Sequence, residues 1–182
     1  MHLSDSLELK GSLTIKKIDR ADKVISVVTA HNDVMLPGRK LVAELFSGFG
    51  GSTPIKYAMV GTGNGSSTSG TLLTPVFCVG INTVKAEDFQ EITENSNKRY
   101  QLTLTATLKE TQPDTTHHSG NPYALTEAAL FNAVPSSLTA NQLPTALQSN
   151  KSPDAIMYNR VTFNPIPKDN NFKLSLVWEI IF

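Results

Sequence analysis

The chain has 182 residues, enough for one domain with a sizeable core. Sixteen Lys and Arg balance sixteen Asp and Glu, so the formal net charge is zero, which argues against a nucleic-acid partner that needs a basic surface. No apolar run approaches the roughly 18 residues of a membrane span, and neutrality lowers the barrier to self-association.

The start, Met1-His2-Leu3-Ser4-Asp5, lacks the basic-then-apolar layout of a secretion signal. Even spacing of Leu7, Leu9, Leu13 and Ile15 predicts a strand over 7–18. A turn at 19–22 returns the chain as a second strand over 24–31, giving a hairpin. Pro37 opens one short helix near 37–47, with Leu41, Val42, Leu45 and Phe46 on one face and Gly48, Gly50 and Gly51 ending it. A short strand over 55–60 runs into the Gly, Ser and Thr stretch 61–70, expected to be a mobile or partner-ordered loop. Strands follow over 76–81 and 83–85, the first containing Cys78. As the only cysteine it forms no internal disulfide, and cytosolic synthesis follows.

Leu102, Leu104, Ala106 and Leu108 alternate with polar residues, a long strand with one wet face. Residues 111–122 read as a polar loop. The stretch 123–133 has helical propensity, but its tight bracketing by Asn121-Pro122 and Asn132 with Pro135 favours a strand. Residues 136–153 read as an exposed excursion that Leu138 and Leu143 tether, so deleting 138–150 is expected to spare the fold and weaken assembly. A strand over 155–163, ending at Phe163, and a turn over 165–171 lead to a closing strand over 172–182. There Phe172, Leu174, Leu176, Trp178, Ile180 and Phe182 share one face. The last two strands read as a hairpin with a longer loop. Roughly eight strands and one helix predict a mainly β, single-domain antiparallel sandwich or jelly-roll-like fold.

Chemistry is harder to find. Gly61-Thr62-Gly63-Asn64-Gly65 follows a strand, but phosphate loops need a helix directly after them, and here the loop continues. His117, His118 and Asp114 lack metal-ligand spacing, since adjacent histidines on an extended chain diverge. Cys78 sits in an apolar strand, where a thiol is usually inert. Glu127, Arg160 and Glu179 are charges within apolar strands, and ion pairing explains them better than catalysis. No enzyme activity, cofactor or metal is expected.

Five pieces together resemble a family of small tailed-bacteriophage virion proteins. They are Asn32-Asp33-Val34 with the helix from Gly38 to Gly48; Val60-Gly61-Thr62-Gly63; Thr71-Leu72-Leu73; Leu125-Thr126-Glu127-Ala128-Ala129-Leu130-Phe131-Asn132; and the close. The close runs Met157–Phe163, Pro165–Lys168 and Leu174–Ile180. The resemblance implies a non-enzymatic virion component made in the host bacterial cytoplasm, of tail, neck, baseplate or fibre-attachment type. Its partners would be itself, as a homo-oligomer, and other virion proteins, held through sheet edges and through loop residues such as Asn64, Ser66, Thr68, Leu138 and Leu143. A capsid decoration protein and a receptor- or carbohydrate-binding module are the alternatives. An equivalent part in a contractile injection system shares the same architecture.

Overall fold

The computed structural model describes residues 9–65, 72–94 and 96–182. Twelve strands form among them: β1 (Lys10–Asp19), β2 (Val24–His31), β3 (Asp33–Val34), β4 (Tyr57–Gly61), β5 (Pro75–Gly80), β6 (Phe89–Glu94), β7 (Asn97–Leu108), β8 (Tyr123–Phe131), β9 (Val134–Pro135), β10 (Lys151–Ser152), β11 (Met157–Lys168) and β12 (Phe172–Ile181). One helix, α1 (Leu36–Ser47), lies between β3 and β4. The first sheet has the order β2-β1-β12-β7-β6 and the second β3-β11-β8-β4-β5, with antiparallel neighbours throughout. β9 and β10 pair in parallel as a separate ribbon.

The two sheets pack as a sandwich because their alternating strands each commit one face. Leu13, Trp178 and Leu104 form one cross-strand row, and Ile15, Leu176 and Ala106 the next. All six are buried against Ala58, Val60, Phe77, Leu125, Leu130 and Val161 of the facing sheet. Leu174 and Ile180 complete the expected core, while Leu102, Phe163 and Phe182 are half-buried at its margin.

The amino-terminal hairpin forms as β1–β2, although residues 7 and 8 lie outside the described residues. The closing hairpin does not form. β11 pairs with β8 and β3 in the second sheet, whereas β12 pairs with β1 and β7 in the first. The 165–171 turn is also shorter than expected, because β11 runs on to Lys168. Thr83–Lys85 is not a strand; β6 follows instead and pairs with β7.

α1 is set by its ends and by one glycine. Pro37 stands in its first turn and Gly48 caps it at φ 68°. A Cβ at Gly38 would lie 2.0 Å from the Tyr158 carbonyl oxygen, so only glycine lets the helix approach β11 this closely. The expected apolar face is only partly used: Leu41 is buried and Val42 packs on the core, but Leu45 and Phe46 face solvent.

The second sheet is covered on its outer face as well. Met59, Cys78, Ala129, Phe131 and Met157 point away from the sandwich interior into a second core closed by Leu72, Val134, Leu138 and Leu143. The 136–153 segment is therefore a cover rather than an exposed arm. The Gln142 amide donates to the Pro75 carbonyl at 2.6 Å, and the Lys151 ammonium bonds the Leu138 carbonyl. Burial on both faces explains the composition of β8: every residue from Leu125 to Phe131 is buried, so the strand shows no alternation.

Candidate functional site

At one end of the second sheet's outer face, the apolar second core gives way to a buried ion pair. Glu127 on β8 and Arg160 on β11 project from this face, Glu127 fully buried and Arg160 8 % exposed. The carboxylate Oε2 accepts from Arg160 Nε at 2.9 Å, and Nη2 lies 2.8 Å from the same oxygen in the ion pair. The loop between β4 and β5 supplies the rest. Oε1 accepts the backbone N–H of Gly63 at 3.1 Å and of Thr74 at 2.9 Å, while Oε2 accepts that of Leu73 at 3.2 Å. Arg160 Nη2 also donates to the Gly65 carbonyl at 2.9 Å, and the Thr126 hydroxyl to the Gly63 carbonyl at 2.9 Å.

Both glycines of Gly61-Thr62-Gly63 exist for this contact. A Cβ at Gly61 would stand 2.5 Å from Glu127 Oε1, and one at Gly63 2.6 Å from the same atom. The motif is thus an anion cradle whose anion is the protein's own carboxylate. With four hydrogen bonds on two oxygens, the carboxylate is saturated. A group so held ties Gly63, Leu73 and Thr74 to β8.

Glu179 does not join the pair. It is exposed on β12, within 3.5 Å of the Ser12 hydroxyl and 3.4 Å of the Gln101 amide. Asn64 is exposed beside Arg160's anchor point, at the mouth of a groove of about 430 Å³ lined by Val28, Thr126, Thr162 and Phe163. Ser66 and Thr68 lie outside the described residues. Leu138 and Leu143, expected as assembly contacts, are 3 % and 5 % exposed inside the second core and present nothing to a neighbour. Their burial removes the expectation that 138–150 can be deleted with the fold intact.

No cluster of three metal-ligating side chains occurs among the described residues. Asp114 instead caps the short turn 115–118, accepting from Thr116 N–H at 2.9 Å, which holds its carboxyl below the usual range. His118 stacks on Tyr123 with ring centres 4.5 Å apart. Burial pushes the Cys78 thiol up to about 12, which leaves it protonated and unreactive.

Sequence reasoning missed Lys168. It is fully buried at the end of β11, donating to the carbonyls of Glu110 at 2.8 Å and Asp169 at 2.5 Å, with its ammonium 5.2 Å from the centre of the Phe172 ring. Desolvation lowers its pKa to about 8, against the opposing pull of Asp169 and Glu110. Nothing local in Pro165-Ile166-Pro167-Lys168 signals burial, since the prolines suggest a turn.

No helix among the described residues is long and apolar enough to cross a membrane. No protein-family model, no curated protein and no solved structure matches the chain.

Proposed function

We propose that this chain is a non-enzymatic structural component of a tailed-bacteriophage virion, of tail, neck, baseplate or fibre-attachment type, held by copies of itself and by neighbouring virion proteins. The observation that carries this reading is the apolar end of α1. Phe46, in the last turn, is 96 % exposed and Phe49, just past it, 74 %, and two nearly naked phenylalanines so close in sequence are side chains that a neighbour would cover. The helix that carries Phe46 is also one of the pieces on which the sequence resemblance rests. Further support comes from Glu127 and Arg160, a buried charge pair that holds Gly63, Gly65, Leu73 and Thr74 beside the second sheet, a use suited to a structural contact.

The test is quantitative mass spectrometry of particles purified from the host that carries this gene. The chain should band with the particles at constant ratio to their other proteins, and a Phe46→Asp, Phe49→Asp variant should fold yet stay out of them. Particles lacking the chain altogether would refute the proposal.

A further inference from the structure

We propose that β2 is a pairing edge for a second copy of this chain, the two β2 strands joining antiparallel across a two-fold axis into one continuous sheet. This rests on the self-assembly part of the proposed function and names the surface that performs it. Among the described residues β2 is the outermost strand of its sheet and pairs on one side only, with β1. The Asn32 N–H donates to the Gly11 carbonyl at 3.1 Å. Antiparallel alternation then turns the backbones of Ala30, Val28 and Ser26 toward β1, and those of Val27, Thr29 and His31 outward. The Thr14 and Thr29 hydroxyls, 3.5 Å apart, fit Thr29's place in a non-hydrogen-bonded pair.

Edge strands are ordinarily protected by charge, proline, brevity or a cover. β6, at the other end of the same sheet, carries Glu91 and Glu94. In the second sheet β3 is two residues long, and β5 begins at Pro75 under the Gln142 amide. Among the described residues β2 is neither short, charged nor interrupted by proline, although Val28, Thr29 and Ala30 line the groove they share with Thr162 and Phe163. Its eight residues include no proline and no Lys, Arg, Asp or Glu, and Val24, Ile25 and Val27 are 45 %, 50 % and 56 % exposed.

The edge's own chemistry selects a second copy over a foreign strand. Val24 to Ala30 is uncharged, so a two-fold pairing brings no like charges together, and the zero formal net charge adds no long-range repulsion. Val28 and Ala30 already pack on the margin of the main core, so a paired strand would carry that core across the axis.

Sedimentation velocity of the purified full chain over a wide concentration range tests this. The wild type should dimerise. Val27→Lys and Thr29→Pro should each weaken the dimer about tenfold or more, while Phe46→Ser leaves it unchanged. Proline at 29 removes an outward N–H and the exposed hydroxyl contact with Thr14 but no ladder bond to β1, so the far-ultraviolet circular dichroism should be retained. If Thr29→Pro fails to fold, Val27→Lys decides, together with hydrogen exchange of the wild type. The Val27 and Thr29 amides should gain protection as concentration rises. A wild type monomeric at every concentration, β2 variants that pair as the wild type does, or loss of the dimer in Phe46→Ser alone would each overturn the inference. A monomer that is nonetheless found in particles rejects only this edge; a β2 dimer that is absent from them rejects only the virion reading.

Discussion

Replacing Glu127 with Gln tests what the buried pair does. The side chain keeps its shape, but one oxygen becomes an NH₂ group. Whichever way the amide turns, a donor then faces backbone N–H groups of the 62–74 loop, the Arg160 guanidinium, or both. Breaking a buried pair from one side costs about 3–5 kcal/mol, a large share of the roughly 5–15 kcal/mol that holds an ordinary domain together. At about 2–4 °C per kcal/mol for a chain of this size, the melting temperature should fall by roughly 6–20 °C. The double variant Glu127→Leu, Arg160→Met is more telling. Many buried pairs can be exchanged for apolar residues at little cost, but this one also satisfies the N–H groups of Gly63, Leu73 and Thr74. Each donor left bare costs about 1–3 kcal/mol, so the double variant should be no more stable than Glu127→Gln. Urea unfolding measures both, and hydrogen exchange should show the N–H groups of Gly63, Leu73 and Thr74 losing protection before the core. A double variant as stable as the wild type would refute the view that the carboxylate exists to fix the loop.

Lys168 should give stability a measurable pH dependence. Its folded pKa, about 8, lies below its ordinary 10.5, so the cost of burying the charge is present in full below pH 8 and fades as pH rises toward 10.5. The displacement corresponds to roughly 3 kcal/mol at most, and urea midpoints should show the wild type gaining stability relative to Lys168→Met across that window. A constant offset would mean that the ammonium is not desolvated. Cys78 reports on the second core: the native thiol should resist an aromatic disulfide reagent, and Leu143→Asp or deletion of 138–150 should make it react and lower stability. Labelling of the native protein at the rate of a free thiol would contradict this packing. Gly38→Ala should cost about 1–3 kcal/mol by overpacking, because the methyl meets a backbone carbonyl that cannot rotate away; an unchanged melting temperature would show that α1 can shift freely.

Where the sequence succeeded, the signal was local. The period-two pattern of Leu102–Leu108 and Phe172–Phe182 and the exact run 24–31 for β2 follow from the pleat of the chain itself. The helix followed from Pro37 and Gly48. The strand at 123–133 was recovered despite its helical composition, and the reason for that composition, burial on both faces, emerged only from the fold. Glu127 and Arg160 stood out as charges in apolar strands. Nothing in the chain joined them to Gly61 and Gly63, because the contact spans 33 residues in one direction and 64 in the other.

The sequence by itself determined that the chain makes antiparallel strands with one committed face, a single short helix and a neutral surface, since these depend on residues a few positions apart. Tertiary structure alone decided which sheet each strand entered. It sent β11 and β12 to opposite layers, folded 136–153 back as a lid over Cys78, and buried Lys168. Alternation says that a side chain must be covered, but the covering residues come from distant parts of the chain, and only the assembled sandwich determines which they are.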